Sequence, residues 1–163
     1  MAIDVYLHIE GIKGESTDDR HKGWIECQSL NWAMSQPKSA TSSTAGGHSA
    51  ERCDMTDISL IKIADLSSPL LMQSCASGRT LPKAKFEFLR ADGAGERVLY
   101  FEIELTSVLI AHVAPAIEPG AILTELVGIK FAKVKWKYSQ QKVSGGSAGN
   151  TAGGWDLSSN RIC

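Results

Sequence analysis

The chain has 163 residues, 43% hydrophobic and 21% charged, with a formal net charge of −1. That composition belongs to an ordinary globular domain with enough chain for one core. It argues against a general electrostatic attraction to nucleic acid or anionic membrane, and no stretch approaches the roughly 18 apolar residues of a membrane helix.

The opening residues MAIDVYLHIEG carry Asp4 and Glu10 and alternate by twos, so they are expected to fold and not to act as a cleavable secretory signal. A strand is predicted over Ile3–Glu10, with Ile3, Val5, Leu7 and Ile9 inward and Asp4, Tyr6, His8 and Glu10 outward. GIKGESTDDRHKG follows as a polar connection, in which Asp18, Asp19 and His21 are expected to form a solvated loop. WIECQSLNWAMSQ then alternates again. Leu30, Trp32 and Met34 form one face, while Ser29, Asn31, Ala33 and Ser35 form another that is small and mostly uncharged.

Residues 36–51 (QPKSATSSTAGGHSAE) have no periodicity and read as a long loop, which in a compact domain is functional or disordered. Strand alternation resumes over Cys53–Ile63. In DLSSPLLMQSCASGR a helix is predicted with Ser68 as its cap, Pro69 in its first turn, Gly78 as its left-handed stop, and a packing face of Leu70, Leu71, Met72 and Cys75. Three long arms complete the strands. Ala84, Phe86 and Phe88 lead into an Asp92-Gly93 turn, Leu99 to Val113 returns, and Ile122–Tyr138 ends on a row of Lys133, Lys135 and Lys137. Glu102 and Glu104 are expected opposite those lysines, which makes phosphate binding an inferior explanation of the row. SGGSAGNTAGG is expected to be a flexible spacer before Trp155-Asp156-Leu157. The whole is mainly β, a two-sheet barrel or sandwich with one short α-helix.

Chemistry is sparse. No nucleophile elbow, phosphate loop or H-E-x-x-H motif is present. Cys27, Cys53, Cys75 and Cys163 lack zinc-ligand spacing; the first three read as small buried fillers and the last as a mobile terminal thiol.

MAIDVYLHIEGIKGES, LNWAMSQ, the S-x-P-L-L-M-x-x-C-x-S-G helix, PKAKFEF, LTELVGIKFAKVKWKYSQQK and GWDLSSN, in this order, resemble the haemolysin-coregulated proteins (Hcp) of bacterial type VI secretion. The resemblance implies an Hcp-like barrel over 1–142, including the extended loop 36–51, followed by a Gly/Ser-rich tail over 143–163. It implies a homohexameric ring, rings stacked into a tube, a contractile sheath and spike as partners, and small effector proteins carried in the lumen. It implies no enzyme activity, no cofactor, no metal, no nucleic acid and no membrane insertion. The location implied is cytoplasmic before firing and secreted afterwards, without a cleavable signal, and no toxin domain is expected after the tail. Carried onto this chain, Ser29 and Asn31 become candidates for the lumen-facing surface, although they would equally suit a contact with a second sheet or an adjacent subunit. Ser39, Thr41, Ser43, Gly46 and His48 become candidates for the inter-ring loop. A lumen wall is expected to be weakly polar and short of large hydrophobic anchors. Two other readings are weighed: a monomeric secreted β-sandwich binding module with a pocket at Trp24 or Trp155, and a small secreted hydrolase. The latter would require a convergent nucleophile, base and orienting group, for which the sequence offers no candidate set.

Overall fold

Three long antiparallel strands, β7 (Thr80–Ala91), β8 (Arg97–Ala116) and β9 (Thr124–Gln141), carry the molecule in a computed structural model that describes residues 3–37, 52–142, 144–145 and 147–163. Their alternation of β-branched and aromatic residues with charged ones suits a sheet with one dry face. Phe86, Ile103, Leu105 and Val134 point inward and are fully buried. The turn between β7 and β8 is made by Asp92, whose Oδ1 accepts the N–H groups of Ala94 at 2.9 Å and Glu96 at 2.8 Å.

Around these arms lie β1 (Ile3–Ile9), β2 (Ile25–Cys27), β3 (Ser29–Asn31), β4 (Met34–Ser35), β5 (Asp54–Met55), β6 (Ile58–Ile63), β10 (Ser147–Asp156) and β11 (Arg161–Ile162). The main sheet runs β11-β10-β9-β8-β7-β1-β2, with β6 branching from β9 and β3 from β6; β4 and β5 pair separately. The path of pairing bends back on itself at Gln28. Residues before it pair with β1 and residues after it pair with β6, and Gln28 donates its own N–H to the Ile61 carbonyl at 2.8 Å. The result is a mainly β two-sheet barrel with one helix, as expected.

The expected single strand over Trp24–Gln36 is therefore broken into β2, β3 and β4, because it serves three different neighbours, β1, β6 and β5. Leu30 and Trp32 do pack on the core, Trp32 stacking on Phe101 at 6.4 Å. Met34 does not; it is 48% exposed.

Helix α1 (Ser68–Ser77) ends on Gly78 in the left-handed region (φ 63°), whose N–H reaches the Cys75 carbonyl. Its cap is Ser67, one residue earlier than expected. Ser68 Oγ is turned inward, where it donates to Glu125 Oε2 at 2.8 Å and accepts from Lys62 Nζ at 3.1 Å. Leu71 is buried and Cys75 lies against the core, whereas Leu70 and Met72 face outward.

The segment expected to be a flexible spacer is the strand β10, paired with β9 from Lys133 to Gln141. On that edge of β9, β6 covers only Thr124 to Ile129, leaving the backbone groups beyond to find another partner. Small side chains suffice for this, and Trp155 anchors the strand by packing on the core.

Candidate interaction face

Alternation dictates that β6 turns Ile58, Leu60 and Lys62 inward and Ser59, Ile61 and Ile63 outward. The same rule applied to β3, β9 and β8 places three rows of side chains on one outward face. In the first, Ser29, Ile61, Leu126 and Ala114 are successive cross-strand partners. In the second, Asn31, Ser59, Gly128 and His112 are. The third runs Ile63, Thr124, Ala116. None of these positions holds Asp, Glu, Lys or Arg; the Asp57 carboxylate borders the second row at Gly128. A methyl group at Gly128 would sit 3.2 Å from His112 Cβ, a tight contact that the glycine avoids.

The structure thus brings Ser29 and Asn31 together on one exposed surface. It also places on that surface what their own strand did not show: Ile61 and Leu126, 39% and 40% exposed. The β6 alternation holds this signal, visible once the register makes Ile61 the neighbour of Ser29. Ser39, Thr41, Ser43, Gly46 and His48 lie outside the described residues.

Directly beneath, Lys62 and Glu125 form an ion pair with no solvent exposure, Nζ to Oε2 2.8 Å. Lys62 also reaches Asp65 Oδ1 at 2.9 Å. This node ties β6, β9 and the start of α1 together, so the outward rows rest on a braced sheet.

A second buried polar node holds the 11–23 connection, and it corrects the expectation of a solvated loop. His21 is 2% exposed. Its Nδ1 lies 2.7 Å from Asp18 Oδ1 and its Nε2 2.7 Å from Glu87 Oε2. Its ring stacks on Tyr6 at 4.3 Å and meets Trp24 edge-on at 4.8 Å. Tyr6, expected to face outward, is consequently buried. The hydrogen bond to His21 holds the Asp18 carboxyl below the usual carboxylate range, helped by Arg97. Arg97 joins Asp18, Asp4 and the Tyr6 hydroxyl. Trp24 is used for packing, against His21 and His8, and Trp155 against the core.

On the far face of β7–β10 the expected charge pairing is present. Glu102 opposes Lys137 and Glu104 opposes Lys135 in register. Lys85 Nζ bridges Glu87 and Glu102 at 2.7 Å each, Lys137 reaches Glu102 at 3.4 Å, and Lys133 reaches Asp156 at 3.4 Å. Burial alone would raise the Glu102 carboxyl, but Lys85 and Lys137 outweigh it and hold it low. A shallow groove of about 540 Å³ opens here between Lys83, Lys85, Lys135 and the terminal Cys163. Among the described residues no group of three His, Cys, Asp or Glu side chains could hold a metal ion, and no helix is long and apolar enough to cross a membrane.

Long paired strands with one helix laid against them, presenting three uncharged rows on an outward sheet face, define a mainly β class of protein. Comparison with known proteins gives the family. Residues 6–138 match the model of "Type VI secretion system effector, Hcp". The chain is 36% identical over 162 residues, 98% of each chain, to Protein hcp1 of Pseudomonas aeruginosa. Among solved structures it is similar to Hcp1 from Salmonella typhimurium (29% identity, all of both chains, TM-score 0.82). It is also similar to a structure described as a type six secretion system protein (25% identity, 99% of this chain and 100% of that one, TM-score 0.92). The chain belongs to the Hcp family of type VI secretion proteins.

Proposed function

We propose that this chain is the structural subunit of a type VI secretion tube. Six copies close into a ring, rings stack, and a contractile sheath and its spike eject the tube with small effectors held inside. The observation that carries the reading is the outward face of β3, β6, β9 and β8, three rows deep and free of Asp, Glu, Lys and Arg, in a chain that matches the Hcp family along most of its length. A wall of that kind can line a passage without fixing one charge pattern on what passes.

In this reading Ser29 and Asn31 face the lumen, residues 36–51 reach toward the adjoining ring, and the protein works before firing in the cytoplasm and afterwards outside the cell. Its part is structural. Its buried histidine and lysine are both engaged by carboxylates in bracing the barrel, which supports packing roles for them. Negative-stain microscopy of the purified protein tests the assembly. Annular particles with a central opening are expected, and a field of solid single-subunit particles would contradict it. Enlarging Asn31, as Asn31→Gln, should lower effector retention while leaving the rings intact.

A further inference from the structure

We infer that Ile61, Ile63 and Leu126 form an apolar cargo stripe, and that the guests this protein retains are those presenting an uncharged apolar strip on their own surface. The inference rests on the carrier reading above and narrows it to a partner chemistry.

The three side chains belong to neighbouring strands. Ile61 and Leu126 are direct cross-strand partners, and Ile63 lies two residues further along the same face of β6. Each keeps more than a third of its surface exposed, at 39%, 38% and 40%. Small residues flank them, with Ser29 beside Ile61 and Ala114 beside Leu126, so the branched side chains stand above their surroundings. A strand needs only one apolar face to fold, and β6 already has one in Ile58 and Leu60. The outward isoleucines are thus surplus to the core.

The amount of exposed apolar surface points to the occupant. Three side chains at these exposures offer on the order of 200 Å², far below the roughly 800 Å² per partner of a stable protein–protein interface. A second copy would not be held by this stripe alone. A guest touching the same stripe on several subunits of a ring would be held by many weak contacts, each reversible, and lost together when the ring opens. The stripe side chains themselves are uncharged, while Asp57 borders the second row at Gly128 and Ile63 shares a pocket with Glu15, Glu26 and Asp65.

The test uses the full-length assembled protein and a labelled peptide alternating leucine with serine, followed by fluorescence anisotropy, with a control peptide carrying glutamate for each leucine. The leucine peptide is expected to bind, and the glutamate peptide not to bind. Ile61→Thr with Leu126→Thr, which preserves strand propensity, should weaken binding by about tenfold or more at unchanged particle mass. Should the double variant lose its fold, Ile61→Thr alone is the arm that decides. Equal binding of the two peptides, no binding of the leucine peptide, or undiminished binding by the variant would overturn the inference. So would collapse of the folded variant to single subunits, which would make the stripe a seal between copies. Asn31→Trp separates this from the reading beneath it. If that change blocks the peptide while the threonine variant does not, the lumen assignment stands and the apolar stripe falls. If neither blocks it, the lumen surface is misplaced as well.

Discussion

Lys62 and Glu125 face one another across β6 and β9, their charges meeting at 2.8 Å with both side chains shut off from solvent. Without Lys62 the Glu125 carboxylate would be buried with no counter-charge, whereas Lys62 without Glu125 would keep Asp65 at 2.9 Å. Ser68 and Asp65 complete the lysine's contacts, while Glu125 Oε1 has no hydrogen-bond partner among the described residues. Lys62→Met, which strands Glu125, is expected to cost about 3–5 kcal/mol; Glu125→Leu, which leaves Lys62 its Asp65 contact, is expected to cost less, and both together considerably less than the sum. Urea denaturation of the two single variants and the double variant measures this. Additive losses would show that the pair does not act as a unit.

The Asp18–His21 contact gives a pH dependence with a definite sign. Hydrogen bonding from His21 lowers the folded Asp18 pKa below its unfolded value. On acidification the unfolded chain binds the proton first. The stabilisation is therefore complete above the ordinary carboxylate value of about 3.9 and is lost as pH falls through the depressed folded value. The unfolding free energy of the natural protein should fall more steeply over that acid range than that of Asp18→Asn. Parallel curves would contradict the assignment.

Gly14 is placed for its lack of a side chain. It donates to the Gly23 carbonyl at 2.8 Å, and a methyl group there would meet the Trp24 carbonyl oxygen and lie 2.7 Å from its carbon. The obstacle is backbone, which has little room to yield. Gly14→Ala is expected to destabilise by about 1–3 kcal/mol and to disturb Trp24 fluorescence, because Trp24 packs on His21 from that connection.

The cysteines should separate by reactivity. Burial pushes the Cys27 thiol up to about 12, whereas Cys163 is exposed at the chain end. Iodoacetamide at mildly alkaline pH is expected to modify Cys163 and spare Cys27 until denaturant is added, as read by peptide mass spectrometry. Equal labelling in the folded protein would place Cys27 in a far more open site.

How much of this was legible beforehand follows physical lines. Where one element meets one environment, alternation sufficed. The arms β7, β8 and β9, the Glu102–Lys137 opposition and the Gly78 helix stop were all readable from spacing. Legibility failed where the environment comes from distant chain. The break at Gln28 arises because β1 and β6 approach the same run from different sides. His21 is buried by Glu87, far along the chain, and Ser68 is drawn inward by Glu125. The strand β10 has almost no intrinsic β signal; an unfilled edge of β9 recruits it. Ser29 and Asn31 stood out as a small polar face, but their apolar neighbours Ile61 and Leu126 became visible only through register. The expectation of a ring came from the family resemblance, since no single element implies it.

Assembly is the claim on which the carrier reading and the cargo stripe both depend. Sedimentation or light scattering of the purified protein at micromolar concentration tests it most directly. The account predicts a particle of about six subunit masses or a stack of such rings. A homogeneous peak at one subunit mass would contradict it.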